Sequence, residues 1–184
     1  GVVVVLALSS PFGVAEDTSE PALRYAALMK KYNSSAGGFR DATTDAERNQ
    51  AVRRLGTFAT RFLDLASQFP KDPVALTALR QAVQAVGSTD SLALQAWEIN
   101  RSDFPAGAND GSAQRTGELV LRDHLLSDQL SPVLDRMRYA YRMDYEKCLV
   151  AALEKNPHRE VRGLACLALA QNLNDRLRML QLVD

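Results

Sequence analysis

The chain has 184 residues, and its 22 basic and 22 acidic side chains give a formal net charge of zero. This balance argues against a dedicated binder of nucleic acid or anionic membranes, since both partners attract a basic surface. Aromatic residues are only 7% of the chain, while Ala and Leu, which favour helices, are abundant. The length suits one domain, and the composition predicts an all-α fold.

The first fifteen residues differ from the rest of the chain. Residues 1–8 are an apolar run, and residues 13–15 provide a small-x-small pattern that precedes acidic side chains. These features are typical of the end of a signal peptide, and the run is too short to span a bilayer. A buried β-strand is the alternative, because the valines of residues 2–5 favour strands. We expect residues 1–15 to be a signal-peptide remnant and residues 16–184 to be an exported, periplasmic or extracellular, helical domain.

Capping residues predict the first two helices. Ser19, followed by a Glu-Pro pair, predicts the start of a helix over residues 22–32, and the Ser and Gly residues of 33–42 predict a loop. The capping-box pattern Thr44–Glu47 predicts a second, long helix that ends at about Gln68. Its apolar stripe comprises Val52, Leu55, Ala59, Phe62, Leu63 and Ala66.

Two helices and a loop are predicted in the middle of the chain. Asp72 and the proline after it predict the start of a helix over residues 74–86, which the following glycine should end. A cap in residues 89–90 then predicts a short helix containing Trp97, which we expect in the core. The Gly- and Pro-containing residues 103–112 are the clearest predicted loop.

The last third of the chain predicts the remaining helices. Residues 113–127 favour one helix, and Ser131 begins another that continues to, or breaks near, Arg142. Residues 144–155 form the next, and an Asn-Pro pair caps a helix over residues 161–173 whose helical character extends into the tail. About eight helices with short connections suit either a solenoid of tetratricopeptide- or HEAT-like hairpins or an irregular bundle.

The most distinctive segment is residues 136–145, which alternate Arg, Met and Tyr. On one continuous helix, Arg138, Tyr141, Arg142 and Tyr145 would share a face, and Arg and Tyr are enriched at binding hot spots. This face is a candidate partner-binding surface. The alternative is that the tyrosines pack between helices while the arginines stay solvated.

The sequence offers little for catalysis or metal binding. His124 and His158 are the only histidines, and the motifs H-E-x-x-H, G-x-S-x-G and G-x-x-x-x-G-K-[ST] are absent. We therefore predict no catalytic, cofactor-binding or metal-binding residue. Cys148 and Cys166 lie in apolar helical stretches, where free cysteines pack as small hydrophobes. An exported protein also permits a disulfide between them, although no Cys-x-x-C pair is present.

One family resemblance goes beyond generic helical character. The chain resembles the helical N-terminal region of exported bacterial redoxin-domain proteins over roughly residues 22–173, and the Pro-His-Arg-Glu-Val motif at 157–161 is the most specific part. The other similar segments are residues 25–28, 61–66, 69–73, 121–125 and the remainder of 154–170.

The resemblance implies a thioredoxin-fold domain beyond residue 184, in which the redox cysteines of that family lie. Cys166 matches a position in the family's helical motif, so no catalytic residue carries over. We therefore predict a non-catalytic binding or scaffolding module of an exported thioredoxin-like protein. We expect its partner to be a protein or peptide, or that thioredoxin-fold domain, and not a nucleic acid. We expect the chain to bind no cofactor and to have no stable membrane span after signal cleavage.

Two other functions stay open at this point. In the first, Cys148 and Cys166 form a switchable pair, which requires Cβ atoms roughly 3.5–4.5 Å apart and at least one exposed sulfur. In the second, the chain is an unrecognised enzyme, which requires a deep pocket with perturbed titratable groups.

Overall fold

The computed structural model describes residues 19–100, 111–139 and 143–181, and every regular element in these ranges is helical. The predicted all-α fold is therefore confirmed, with a helix number close to the expected eight. The elements are α1 Glu20–Arg40, α2 Asp45–Gln68, α3 Pro73–Asn100, α4 Ser112–Leu119, a π-helical segment Val120–His124, α5 Ser131–Met137, α6 Met143–Lys155 and α7 Arg159–Gln181.

Helix α1 begins where predicted, but it does not end at residue 32. The Ser19 hydroxyl caps it, and the helix then runs through the expected loop at 33–42 as far as Arg40. Tyr32 is buried, and Ala36 and Phe39, one and two turns later, pack against the core. Burial of these side chains outweighs the low helix propensity of the intervening Ser and Gly residues.

Helix α2 follows its sequence signals closely. The Glu47 carboxylate accepts hydrogen bonds from the amides of Thr43 and Thr44, and the Thr44 hydroxyl accepts one from the Glu47 amide, which completes the capping box. These bonds hold the pKa of Glu47 at about 2. The six residues of the predicted apolar stripe are all buried.

Helix α3 is longer than predicted, because Gly87 does not end it and the expected cap at 89–90 lies inside it. The Thr89 hydroxyl donates to the Ala85 carbonyl at 2.8 Å, and the Ser91 hydroxyl donates to the Gly87 carbonyl at 3.0 Å. These side chains therefore bond within the continuing helix instead of capping a new one. The Trp97 side chain lies outside the described residues.

The segment after residue 110 is helical with one irregularity. Gly111, at φ 76°, precedes α4 and adopts a backbone conformation that favours glycine. The predicted helix over 113–127 changes to a π-helical turn at Val120, and this turn buries Val120 and His124. The rest of the predicted loop, residues 103–110, lies outside the described residues.

Three helices complete the fold. Helix α5 begins at Ser131 as predicted and ends at Met137, so the described helix does not continue to Arg142. Helices α6 and α7 pack against each other, while α5 packs on both α7 and α3 and so joins the last helices to the α2–α3 hairpin. The predicted extension of the last helix into the tail is confirmed as far as Gln181.

Candidate binding cleft

A cleft with a volume of about 610 Å³ opens beside the C-terminal half of α1. It is larger than the two other clefts of note, about 420 Å³ at the α1–α2 turn and about 330 Å³ between α3 and α5. Small-molecule sites are usually concave, mostly apolar and roughly 300–1,000 Å³ in volume. The cleft therefore has the size of a ligand site.

One wall of the cleft is apolar and is made by three helices. Helix α1 contributes Tyr32, Ala36 and Phe39, and Leu55 and Val83 come from α2 and α3. The three α1 residues line the cleft only because the helix continues past residue 32 and presents them at i, i+4 and i+7.

The apolar wall is anchored by aromatic packing. The Tyr32 ring meets the Phe58 and Phe62 rings edge-on, with centroids 5.6 and 6.0 Å apart. Tilted and edge-on pairs of this kind add to the stabilisation that burial provides. Packing between α1 and α2 therefore holds Tyr32 of the apolar wall in position.

The remaining described residues that line the cleft are mostly polar and carry little charge. Gln84, Ser88 and Ser91 form a neutral stripe on α3, and Arg136 and Tyr139 line the cleft at and after the end of α5. Arg136 is the charged residue among the described ones that line the cleft. We call Arg136 and Tyr139 the mouth residues, because Tyr139 is 52% exposed and Arg136 is half-buried.

Tyr139 is held in place by its neighbour Arg138. The Arg138 guanidinium carbon lies 4.5 Å from the centroid of the Tyr139 ring, and one of its nitrogens donates a hydrogen bond to the Tyr139 hydroxyl oxygen. The same nitrogen also lies 3.2 Å from a carboxylate oxygen of Asp135. Arg138 thus orients Tyr139, which lines the cleft.

The predicted Arg/Tyr face is not assembled as a single surface in the described residues. Arg138 is half-buried beside the cleft, whereas Tyr145 is fully buried within α6. Tyr141 and Arg142 lie outside the described residues. Because α5 ends at Met137, the segment does not follow one helical register, and the alternative of a tyrosine packed between helices holds for Tyr145.

The two cysteines have different environments, and both thiols are free. Cys148 is fully buried, and its thiol donates a hydrogen bond to the Gly117 carbonyl at 3.6 Å. Burial, together with the Asp144 carboxylate, raises the pKa of this thiol to about 12. Cys166 is exposed, so the expectation of a small buried hydrophobe is correct for Cys148 and wrong for Cys166.

Cys166 is exposed because it lies on the outer face of α7. This face carries apolar side chains at helical spacing from Cys166: Leu173, at i+7, is 40% exposed, and Leu177, at i+11, is 60% exposed. Helix α7 packs on α5 and α6 through its other side. Helical position, rather than the apolar character of the surrounding sequence, therefore decides which cysteine is buried.

The two histidines also differ in burial. His124 is buried in the π-helical segment, and burial lowers its pKa. His158 is exposed next to Asn156. Within the described ranges, no three His, Cys, Asp or Glu side chains are close enough together to hold a metal ion. None of the helices described has both the length and the apolar character of a membrane span.

No protein-family model, curated protein or solved structure matches this chain. The resemblance to exported redoxin-domain proteins therefore stays a prediction. The cleft itself was not anticipated from the sequence, because residues 33–42 were expected to form a loop. The i, i+4, i+7 spacing of Tyr32, Ala36 and Phe39 was the signal that would have revealed it.

Proposed function

We propose that this chain is a non-catalytic helical binding module and that the cleft beside α1 is its ligand site. The observation that carries the proposal is the cleft of about 610 Å³, whose described lining has an apolar wall, a neutral polar stripe and one cationic residue. Binding sites combine an apolar surface, which supplies affinity, with a few polar groups, which fix the orientation of the ligand. The cleft has both.

The composition of the cleft supports binding rather than catalysis. Among the described residues that line it, the polar ones are tyrosine, serine, glutamine and arginine, without a carboxylate, histidine or cysteine. Nucleophilic catalysis by serine needs an adjacent general base, and acid–base catalysis needs a titratable group within hydrogen-bond reach of the substrate. The lining residues offer neither arrangement.

The wider context of the module is proposed from the sequence resemblance. We place it in an exported, thioredoxin-like redox protein, where it would contact a protein, a peptide or the thioredoxin-fold domain of the same polypeptide. The apolar run at residues 1–8 and the pattern at 13–15 support export. Mass determination of the mature N-terminus in the native source tests this, with a start near Glu16 expected and retention of residues 1–15 contradicting it.

The redox alternative is supported by the exposure of Cys166 but not by the position of Cys148. A buried thiol whose pKa is about 12 is almost entirely protonated at neutral pH, and the thiolate is the reactive form. A binding module therefore accounts for more of the described molecule than a dithiol switch does.

Filling the cleft tests the proposed site. Ala36 lines the cleft on α1, and Ala36→Phe should occupy part of its volume. Ala27→Phe, at an exposed position of the same helix, is the matched control. The probe is Nile red, an uncharged apolar dye whose fluorescence rises in an apolar site. We expect saturable 1:1 binding to the wild type and to Ala27→Phe, with at least a tenfold loss of affinity in Ala36→Phe.

Two results would overturn the proposal: no saturable binding to the wild-type protein, or equal binding to the wild type and Ala36→Phe. Circular dichroism and thermal unfolding of each variant establish that it is folded before the titration. Loss of folded structure in Ala36→Phe would move the test to Val83→Phe, on the α3 side of the same cleft.

A further inference from the structure

The charge distribution around the cleft narrows the class of ligand. Among the described lining residues, Arg136 is the charged one, and it makes no ion pair with another described residue. Asp135, its neighbour, is instead engaged by Arg138 at 3.2 Å. A guanidinium at the edge of an apolar site favours a carboxylate, which it binds through two parallel N–H groups.

Tyr139, three residues after Arg136, adds a second donor to the lining of the cleft. Because Arg138 donates to the Tyr139 oxygen, that oxygen acts as an acceptor toward the protein and the phenolic proton stays available for a ligand. Stacking of Arg138 on the Tyr139 ring, at 4.5 Å, limits the rotation of that ring. The mouth residues therefore offer two kinds of donor and no acidic group.

We propose that the cleft binds an aliphatic monocarboxylate, with the carboxylate at Arg136 and Tyr139 and the chain against the apolar wall. This inference rests on the proposed function, since it names the ligand class for the same site. An alkyl chain matches the side chains of Ala36, Phe39, Leu55 and Val83 because it has no polar groups that would need partners there. A single cation matches a single negative charge.

The chain-length dependence follows from burial of the alkyl tail. Each methylene that leaves water on entering the cleft tightens binding by up to about fourfold. In a series from hexanoate to octanoate to decanoate, each step of two methylenes should therefore lower the dissociation constant by up to about 15-fold. Equal affinities across the series would contradict placement of the chain in the cleft.

Calorimetric titration with decanoate and with decan-1-ol separates the headgroup from the tail. We expect one decanoate per chain and about tenfold or greater weakening in Arg136→Gln, because a hydrogen-bonded charge is removed. Tyr139→Phe should weaken decanoate binding several-fold. Neither substitution should alter the affinity for decan-1-ol, and Arg159→Gln, an exposed arginine on α7, should leave both ligands unaffected.

The outcomes distinguish this inference from the proposed function. If the alcohol and the carboxylate bind equally and Arg136→Gln changes neither, carboxylate recognition is wrong while the cleft remains a binding site. If neither ligand binds and Nile red also fails, both proposals fall. Binding of several decanoate molecules with loss of helical structure would indicate detergent action and would also overturn the inference.

Discussion

The side-chain nitrogen of Asn156 lies 2.7 Å from the carbonyl oxygen of Leu125, 31 residues earlier in the chain. The same nitrogen donates to the Ser127 carbonyl at 3.0 Å, while the Asn156 side-chain oxygen accepts from the His158 amide at 2.8 Å. One nearly fully buried side chain thus joins the turn after the π-helical segment to the start of α7. Asn156 therefore connects two parts of the fold that are distant in sequence.

Removing this side chain should destabilise the protein strongly. Asn156→Ala leaves two carbonyls and one amide without partners, and we expect a loss of about 2–4 kcal/mol in the free energy of unfolding. Asn156→Asp keeps the acceptor for His158 but loses both donors, so it should also be destabilising. Urea unfolding measures both, with Asn33→Ala, at an exposed position on α1, as the control that should change stability by less than about 0.5 kcal/mol.

Local capping signals predicted helix starts well, because each cap depends on a few neighbouring residues. Ser19 and the Thr44–Glu47 box act as the sequence indicated. The predicted Asn156 cap lies two residues too early, because α7 begins at Arg159 and the Asn156 oxygen accepts from the amide of His158, the residue before that helix. Helix ends were less predictable. Residues 33–42 and Gly87 contain helix breakers, but the buried side chains around them pack on other helices, and the sequence alone does not reveal those contacts.

The candidate site was predictable only in part, for the same reason. Segment 136–145 was identified as distinctive, and Arg136 and Tyr139 from it do line the cleft. The four residues chosen from it assumed one continuous helix. In the described residues α5 ends at Met137 and α6 begins at Met143, so no one described helix carries all four, and Tyr145 lies in the core. A side chain's face cannot be assigned from spacing across a break.

The contact between α4 and α6 depends on glycine at position 117. A Cβ atom there would lie 3.2 Å from the Cys148 sulfur and 3.5 Å from the Asp144 carbonyl oxygen. Since Cys148 is fully buried and has little room to move, we expect Gly117→Ala to cost about 1–2 kcal/mol of unfolding free energy despite the higher helix propensity of alanine. Thermal or urea unfolding measures this cost.

Two controls identify the cause of that loss. Gly163→Ala, in a helix position with no atom near the added Cβ, should stabilise the protein by about 0.5–1 kcal/mol. In a Cys148→Ala background, Gly117→Ala should lower the free energy of unfolding by less than it does in the wild type. The reason is that the Cys148 sulfur, the atom closest to the added Cβ, has been removed. Equal costs in the two backgrounds would show that the sulfur contact is not responsible.

His124 should make the stability sensitive to mild acid. Burial lowers its pKa below the ordinary value of 6.5, so at a pH below about 6.5 the unfolded chain takes up a proton that the folded protein does not. The contribution of neutral His124 to the free energy of unfolding is therefore complete above pH 6.5. It is lost as the pH falls toward the lower pKa of the folded protein, and the free energy of unfolding then falls by at most about 1.4 kcal/mol per pH unit.

Substitution of each histidine checks this dependence. We expect His124→Gln to flatten the fall in unfolding free energy between pH 7.5 and 5.5, whereas His158→Gln, at an exposed position, should follow the wild-type slope. Urea unfolding at several pH values measures the slopes. A wild-type slope retained in His124→Gln would assign the acid sensitivity to other groups.

The two cysteines should differ sharply in reactivity. Because burial raises the Cys148 pKa to about 12, its thiolate fraction at pH 8 is on the order of one in ten thousand, and reagents also lack access to it. The exposed Cys166 should be alkylated by iodoacetamide at least about 100-fold faster than Cys148 in the folded protein, with both labelled after unfolding. Intact mass after labelling, with and without prior reduction, measures this. Cys166→Ser is the control that should remove the fast phase alone. Before reduction, a mass that is two units low, with neither cysteine labelled, would instead indicate a Cys148–Cys166 disulfide and would favour the redox alternative. Formation of that bond would require α6 and α7 to repack, because the Cys148 sulfur is buried when its thiol is free.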